Sequence, residues 1–582
     1  MKNRLSRGNN GFIGNDNSLK SVSEGIVNLN KKNNTIAENY YLSEPSYQRP
    51  TEWAQLPSFS GVTQGFAGVF AVFDSDTNFV TLQMNTSTGN YIVDWGDGTT
   101  GSFADNAIAY KNYSKSVYAG LTSSVFRGYK TLVIQAYPVS GTMLEVSLTN
   151  AHNQSGLQSA YIFPWLDIQA VGSSCTTVTI AGLFLLEQAN FIGSNNITNA
   201  GGQFFHCKAL QKVINWDTSK CTAFNSMFRW CDSLIECPQL NTSLGTNFTY
   251  MFENAYSLRY VPWFDTSKAT SFEGMFTNCF SLSLLPPFNT SNVTSFFNTF
   301  YHCSSLEEIP WLDCKKVTTI PGGFRVLMKI KKLPNLDFSS VTNFSAAFAN
   351  APNLIEVTNV DTSNGIFVND IFARCYALKK VNTLNLSKAT SFASAFYDCY
   401  SLEEFPLIIR DGNTVCNMSY IAFSCAKLKT VPNFNTKLIS TWAGAFQGDF
   451  TLPTVGFTFN YPVGQTWATS TALNDVFNGC RILKTIGISD VSGLSGSTYT
   501  TVYNGMFNAC PSLIEVGLSG ISENFSIQNC SLGPTALNDL YGRLAIVGAS
   551  GAGAKTITVS GNWGAASDNP AIAIAKGWSV SG

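Results

Sequence analysis

Residues 227–234 read MFRWCDSL, and the stretch returns as MFENAYSL at 251–258 and as MFTNCFSL at 275–282. The phenylalanine of this motif recurs every 24 residues without slippage. The phenylalanines in this register are Phe204, Phe228, Phe252, Phe276, Phe300, Phe324, Phe348, Phe372 and Phe396. A fixed period of this length is typical of repeat proteins in which each unit packs on its two neighbours. The sequence therefore predicts a solenoid of stacked coils.

Apolar residues keep the same positions from coil to coil, and we expect these positions to point inward. Leu258 and Phe264, for example, are followed 24 residues later by Leu282 and Phe288. If neighbouring coils lie at the β-strand spacing of about 4.8 Å, the phenylalanine register spans roughly 38 Å. Pro262 interrupts one predicted strand, which should be short or partly unpaired because proline has no N–H to donate.

The two halves of the repeat, M-F-x-x-C-x-S-L and D-T-S-x-V-T-S-F, keep one register. Together they resemble BspA-like leucine-rich repeats, which occur in bacterial surface proteins and in phage structural proteins. The resemblance implies a mainly β chain with a leucine-rich-repeat solenoid over residues 151–530. Residues 531–582 break the motif and are similar to segments that close such chains, so we expect a C-terminal capping unit there.

Residues 61–150 alternate apolar and polar side chains, as in Phe79–Met84, which is typical of antiparallel strands. A predicted strand at 91–94 is followed by Trp-Gly-Asp-Gly-Thr at 95–99. This pattern resembles the signature of PKD-type immunoglobulin-like domains, which implies a two-sheet sandwich. Asp94 and Asp97 offer two carboxylates for Ca²⁺, but carboxylates in tight turns commonly accept backbone hydrogen bonds, and we favour that role.

Residues 1–60 show no sustained period of 2 or 3.6 residues and contain several turn-forming stretches. Part of this segment, including Gly11-Phe12-Ile13-Gly14, is similar to the opening segments of tailed-phage and cyanophage virion proteins. The resemblance implies an extended N-terminal docking arm that binds other virion proteins. We expect neither a secretory signal nor membrane insertion, because the start lacks an apolar core of about 7–15 residues and no apolar run reaches about 20.

The formal net charge is −1, which argues against a broad basic surface and hence against a nucleic-acid partner. The chain contains 15 cysteines, and without an export signal we expect reduced thiols. Six of them share one position in the repeat: Cys207, Cys231, Cys279, Cys303, Cys375 and Cys399. Ala255, Leu327 and Ala351 also occupy it, so the position selects small apolar volume for packing. A disulfide or a thiolate metal cluster is the alternative.

A second row holds acidic or amide side chains: Asp217, Asn241, Asp265, Asn289, Asp313, Asp337, Asp361 and Asn385. Asp and Asn exchange freely in this row, as expected for caps that accept hydrogen bonds from turn amides and not for a general acid or base. No nucleophile motif, metal-ligand pair or phosphate loop stands out. We therefore predict no enzyme activity, no catalytic residue, no metal and no cofactor.

Exposed aromatic side chains are the candidate ligand contacts, because aromatic faces stack on glycan rings and anchor protein interfaces. The candidates are Tyr256, Trp263, Phe280, Trp311, Tyr376 and Tyr400. The alternative is that these rings pack only on neighbouring coils. After Phe446 the spacing of the repeat lengthens, which predicts loops that project from the coils and contribute to specificity.

The predicted function is that of a virion structural or fibre protein, assembled in the host cytoplasm, whose arm attaches it to the particle. Its solenoid would recognise a host-surface glycan or protein, and analogy with phage fibres allows a homotrimer. The alternative is a leucine-rich-repeat adhesin on the bacterial cell surface. A glycan-degrading spike would need two carboxylates held about 5–9.5 Å apart, and no pair stands out.

Overall fold

The computed structural model describes residues 47–57, 64–150, 164–194, 196–461, 472–494, 502–547 and 555–582. The chain divides into two compact units, residues 1–50 and 51–582, and the strands and helices of the described residues belong to the second. Most of the predicted docking arm, residues 1–60, lies outside the described residues, as do residues 462–471 and 495–501 of the predicted loops after Phe446.

The described elements are mainly β, as predicted. The strands are β1 (Gly65–Phe73), β2 (Asn78–Asp94), β3 (Thr100–Phe103), β4 (Ile108–Tyr113), β5 (Tyr129–Ser147), β6 (Trp165–Val171), β7 (Thr177–Thr179), β8 (Gln188–Ile192), β9 (Lys212–Ile214), β10 (Glu356–Val357), β11 (Lys380–Val381), β12 (Leu384–Asn385), β13 (Ile408–Ile409), β14 (Cys416–Asn417), β15 (Ile439–Thr441), β16 (Thr485–Asp490), β17 (Glu515–Ser519), β18 (Phe525–Ser526), β19 (Lys555–Thr558) and β20 (Trp578–Ser581). The helices are α1 (Lys115–Gly120), α2 (Pro534–Arg543), α3 (Ala571–Ile574) and a 3₁₀ helix (Trp563–Ala566).

Strands β1 to β9 form one sheet in the order β3-β2-β5-β1-β6-β8-β9, with β4 paired to β2 and β7 to β5. β1 and β5 are antiparallel, with Phe66 opposite Ala136. Their inward side chains enclose a core in which the rings of Phe70 and Trp165 meet edge-on, with centroids 5.3 Å apart. Because β1 also pairs with β6, the sheet continues across the boundary that we predicted at residue 150. The two-sheet sandwich therefore stays a prediction.

Residues 94–99, which include the Trp-Gly-Asp-Gly-Thr stretch, form a tight turn that is closed by the carboxylates of Asp94 and Asp97. Asp94 Oδ1 accepts a hydrogen bond from the Gly96 N–H at 2.9 Å, and Asp97 Oδ1 accepts one from the Thr99 N–H at 3.1 Å. Asp97 also forms an ion pair with Lys111. The predicted turn role of both aspartates is confirmed, since their oxygens bind amides within the turn.

Strand pairing changes from antiparallel to parallel at β6, which pairs with β8, and β8 pairs in parallel with β9. Most coils beyond β9 have isolated parallel bridges in place of long strands, such as Ala223 with Asn247 and Asn247 with Ser271, each 24 residues apart. Tyr260, two residues before Pro262, forms a single bridge with Glu236, in agreement with the short strand predicted there. Further backbone hydrogen bonds join adjacent coils at their turns, so the coils are held together by main-chain bonds as well as by side chains.

An inner ladder of phenylalanine rings joins the coils from Phe204 to Phe396. Successive ring centroids lie 5.3–5.9 Å apart. The backbone follows the rings: the Phe228 N–H donates to the Met251 carbonyl at 2.8 Å. These centroid distances include the sideways offset of the stacked rings, so they do not measure the rise per coil, and the length of roughly 38 Å stays a prediction.

The C-terminal residues form a three-stranded parallel sheet, β18-β19-β20, beside helix α2. The buried face of this helix consists of Leu537, Leu540 and Tyr541. The sequence analysis predicted a capping unit over residues 531–582 but did not identify the strand β20 within it. Its alternation of Trp578 and Val580 with serines is a strand signal that we overlooked.

Candidate ligand-binding faces

Each coil turns sharply at its ladder phenylalanine, and we call the residues from two before to four after this phenylalanine the corner. In the coil of Phe252, both Tyr250 and Asn254 adopt left-handed backbone angles, with φ of 57° and 62°. Most residues avoid this region, and bulky ones such as Trp230, with φ of 63°, are strained there. The backbone of the corner is therefore strained, and it must be held in place by contacts with the neighbouring coils.

Buried cysteines lie beneath the corner. All 15 cysteines are buried and free. Within the predicted row, the Cys231 thiol donates to the Phe204 carbonyl and the Cys279 thiol to the Phe252 carbonyl, both at 3.1 Å. Burial raises the pKa of the Cys207 thiol to about 12, which disfavours the reactive thiolate. The predicted packing role of the row is confirmed.

The aromatic rings of the corner cover one another. Tyr256 stacks on Phe280 with ring centroids 5.1 Å apart, and Tyr376 stacks on Tyr400 at 5.2 Å. A continuous series of ring contacts runs through Phe184, His206, Trp230, Tyr256, Phe280 and His302. Four of the predicted ligand contacts thus offer ring edges and partly covered faces to a ligand. For these four residues the contacts match the packing alternative.

Sequence reasoning missed His206, Trp230 and His302 as members of this series. They lie two residues after a ladder phenylalanine, whereas Tyr256 and Phe280 lie four residues after one. The turn brings the two positions together on adjacent coils, so a search of a single repeat position does not find the series. Plotting aromatic residues over all corner positions would have revealed it.

The two predicted tryptophans lie on a different face, which we call the groove column: the residues 11 after each ladder phenylalanine. Trp263 is 46% exposed and Trp311 is 57% exposed. Among the described residues, neither ring stacks on another aromatic ring or lies under a cation. The groove column contains Asn215, Gln239, Trp263, Pro287, Trp311, Asn335, Asn359, Thr383 and Leu407. About half of each of these large apolar tryptophan side chains is therefore exposed on the surface of the coils.

The Asp/Asn row runs beside the groove column, two residues further along each coil. Asp217 Oδ1 accepts from the Ser219 N–H at 2.9 Å, and Asn241 Oδ1 accepts from the Ser243 N–H at 3.1 Å. The same bond recurs at Asp265, Asn289, Asp313, Asp337, Asp361 and Asn385. The predicted turn-capping role is confirmed, and it uses one oxygen of each side chain.

Two grooves open along these paired rows. Groove A has a volume of about 510 Å³ and is lined by residues of three successive coils, among them Asp217, Gln239, Asn241, Trp263 and Asp265. Groove B has a volume of about 430 Å³ and occupies the equivalent place several coils further on. Its lining includes Asn335, Asp337, Asn359, Asp361, Asn382 and Asn385. Amides and carboxylates therefore line both grooves, and groove A adds an aromatic face.

The cysteine row is interrupted by an acid in the irregular coils. Asp449, three residues after Phe446, is fully buried between Cys425 and Cys480. Neither of its carboxylate oxygens makes a hydrogen bond of normal geometry among the described residues, although the nearby backbone of Cys425 offsets a small part of the effect of burial on its pKa. Burial raises the pKa of Asp449 well above 3.8, which favours the protonated acid. A carboxyl group in this position lowers the free energy of unfolding, whereas the thiols elsewhere in the row do not.

In the part of the chain that the structure describes, no group of at least three His, Cys, Asp or Glu side chains is placed to hold a metal ion. Across the same residues, no helix has the length and apolarity needed to cross a membrane. The two exposed faces offer hydrogen bonds from amides and acids and contact with aromatic rings.

The parallel bridges, the inner ring ladder and the outward rows define a repeat solenoid of parallel coils. The chain is similar to a family described as Mycoplasma protein of unknown function, DUF285, over residues 196–311 and 318–426. These ranges fall within the regular coils and amount to less than half of the chain. A comparison with curated proteins finds no match.

Among solved structures, the TLR13–ssRNA13 complex matches with 11% identity and a TM-score of 0.20, over 64% of this chain and 57% of that one. The plant peptide hormone receptor RGFR1 in complex with RGF2 matches with 11% identity and a TM-score of 0.17, over 72% and 70%. CroV588, titled a novel circular LRR protein, matches with 12% identity and a TM-score of 0.17, over 62% and 60%. At such scores the fold rests on the chain's own bridges and hydrogen bonds.

Proposed function

We propose that this chain is a non-enzymatic recognition protein whose solenoid presents the groove column to a host-surface glycan or protein. The observation that carries the proposal is the exposure of Trp263 and Trp311 on a repeated frame whose other candidate aromatics stack on one another. Large uncovered aromatic side chains are typical of binding surfaces. Incubation with host polysaccharide should release no new reducing ends, and their release would indicate a hydrolase.

Within this role we propose a virion structural or fibre protein that joins the phage particle through residues 1–60. The support is the resemblance of Gly11-Phe12-Ile13-Gly14 and neighbouring residues to the opening segments of phage virion proteins. Mass spectrometry of purified particles should detect the chain. Removal of residues 1–50 should leave the sheet and solenoid folded, as judged by circular dichroism, while the shortened chain no longer joins particles. Residues 51–60 are kept because Trp53 is buried against Val69, Tyr129 and Leu166 of the sheet. A homotrimer is the assembly that we propose by analogy with fibres.

A bacterial cell-surface adhesin is the second candidate, and the similarity to a family described as a Mycoplasma protein favours it. Fractionation of bacterial cells that carry the gene separates the two proposals. The adhesin would be found at the cell surface in the absence of phage particles. The virion protein would appear only with particles or in the cytoplasm during their assembly.

We also propose that residues 61–150 form the PKD-type sandwich and act as a spacer. Its support is the turn at 95–99, where Trp95 is buried and its carbonyl accepts a hydrogen bond from the Tyr113 hydroxyl at 2.7 Å. A sandwich that folds as a module should lose its hydrogen-exchange protection in a separate step from residues 164–214 during urea unfolding. A single shared step would show that the sheet is one cooperative unit with the solenoid.

A further inference from the structure

Trp263 and Trp311 lie on one line along the solenoid, two coils apart. Groove A lies at the Trp263 end of this line, and groove B lies beyond Trp311 on the same two rows. At the strand spacing of about 4.8 Å per coil, the two indoles are on the order of 10 Å apart. Two open grooves and two exposed indoles thus follow one another along the solenoid, an arrangement that suits an extended chain better than a compact ligand.

The acids and amides of groove A retain hydrogen-bonding groups after they have capped their turns. Asp217 and Asp265 each bind a turn amide through Oδ1, at 2.9 and 3.0 Å, and Asn241 accepts two bonds from Ser243 through its Oδ1. Among the described residues, no partner binds the Oδ2 atoms of the two acids or the Nδ2 of Asn241. These groups are acceptors and donors held in place by the turns, which suits a ligand that carries many hydroxyl groups.

The charge of the grooves limits the ligand further. Neither groove is lined by a lysine or an arginine. Asp217 and Asp265 in groove A, and Asp337 and Asp361 in groove B, place carboxylates along the two grooves. An anionic polymer would be repelled by the two acids of groove A. In groove B the repulsion is weaker, because Lys315, outside the groove lining, lies near enough to Asp337 to help lower the pKa of its carboxyl group after the hydrogen bonds from Ser339. A neutral polyhydroxylated chain avoids this penalty and uses the carboxylates as hydrogen-bond acceptors.

We infer that the groove column binds a neutral, extended oligosaccharide, with sugar rings stacked on Trp263 and Trp311 and hydroxyl groups bound to the acids and amides of grooves A and B. This inference rests on the proposed recognition function and names its ligand class. The apolar face of a pyranose ring matches an exposed indole, and the hydroxyl edge of the ring matches the adjoining polar row. The corner aromatics are assigned no part in this site, because they line neither groove and each stacks one ring face on a neighbour.

The test is calorimetric titration of the full chain with neutral hexasaccharides of glucose, N-acetylglucosamine and mannose. An acidic galacturonate hexamer and a hexalysine peptide serve as charged comparators. The Trp263→Ala, Trp311→Ala double variant should weaken binding of a neutral hexasaccharide at least about tenfold, as expected for loss of interface anchors. Trp263→Phe should retain most of the affinity. Tyr256→Ala removes a corner ring from the same coil as Trp263 and should change the affinity by less than about twofold.

Three results would overturn the inference: no neutral hexasaccharide binds at millimolar concentration, a charged comparator binds more tightly, or Tyr256→Ala weakens binding as much as the tryptophan double variant.

Binding to host cells before and after periodate oxidation of their glycans separates this inference from the proposed function. Periodate-resistant binding would indicate a protein receptor, which rejects the glycan but supports recognition. Failure to bind host cells at all would contradict the proposed recognition function itself.

Discussion

The corner and the groove column both expose aromatic side chains, yet their surroundings differ. In the corner, Tyr376 stacks on Tyr400 with the ring planes 5° apart, and each ring replaces water on one face of its neighbour. In the groove column, Trp311 is 57% exposed and stacks on no other ring of the described residues. The comparison teaches that exposure of an aromatic residue in a repeat does not identify its role. The role of the ring is identified by whether a ring of an adjacent coil covers one of its faces.

The largest effect should come from the inner ladder that supports both faces. Phe300→Ala removes a fully buried ring between Phe276 and Phe324 and should lower the free energy of unfolding by about 3–5 kcal/mol. Urea unfolding followed by circular dichroism measures this loss. A loss below about 1 kcal/mol would mean that the ladder is not the core of the stack. Phe300→Leu, which keeps most of the volume, is the matched control.

The next effect tests the buried layer beneath the corner. Asp449→Cys restores the thiol found elsewhere in this row and should stabilise the chain by about 1–3 kcal/mol near neutral pH. The folded-state pKa of Asp449 lies above 3.8, so the native state holds its proton more tightly than the unfolded state does. Stability should therefore fall as the pH rises above 3.8, until the folded-state pKa is passed.

The pH dependence provides the control for this variant. The advantage of Asp449→Cys should grow when urea unfolding is compared at pH 4 and at pH 8, because only the wild type pays for ionising a buried carboxyl group. An advantage that is equal at both values would show that Asp449 has a partner for its charge.

A smaller effect tests the contact between corner side chains. A Cβ added to Gly274 would lie 2.3 Å from the Tyr250 ring, whereas one added to Gly202, at the equivalent position, meets no atom within 4 Å. Both glycines have positive φ, 59° and 66°, so both alanine variants strain the backbone. Gly274→Ala should cost about 1 kcal/mol more than Gly202→Ala in thermal or urea unfolding. Equal costs would show that the Tyr250 ring moves aside freely.

Much of the solenoid could be predicted because its period fixes which residues share a position. The ladder phenylalanines, the cysteine row and the turn-capping Asp217 follow from spacing and from the substitutions that each row accepts. The two corner stacks do not, because the contact of Tyr256 with Phe280 depends on how adjacent coils are offset. The same offset explains why Trp230 and His302 were missed: they join the series of ring contacts from a different position in the repeat than Tyr256 and Phe280 do. Asp449 was accessible to sequence reasoning, since it stands three residues after Phe446.

For the groove column, the sequence predicted the exposed residues but not their surroundings. The sequence identified Trp263 and Trp311 as candidates but not the grooves beside them, because a groove requires the distance between neighbouring turns. Gln239 was missed for the same reason, since nothing in its own coil distinguishes it from a surface residue.

The most direct test of this division between faces compares Tyr376→Ala with Trp311→Ala in urea unfolding of the full chain. Tyr376→Ala should lower the free energy of unfolding by about 0.5–1.5 kcal/mol through loss of the stack with Tyr400. Trp311→Ala should change it by less than about 0.5 kcal/mol, because no neighbouring ring loses a partner. A loss from Trp311→Ala that equals or exceeds the loss from Tyr376→Ala would contradict the account, since the indole would then be holding coils together.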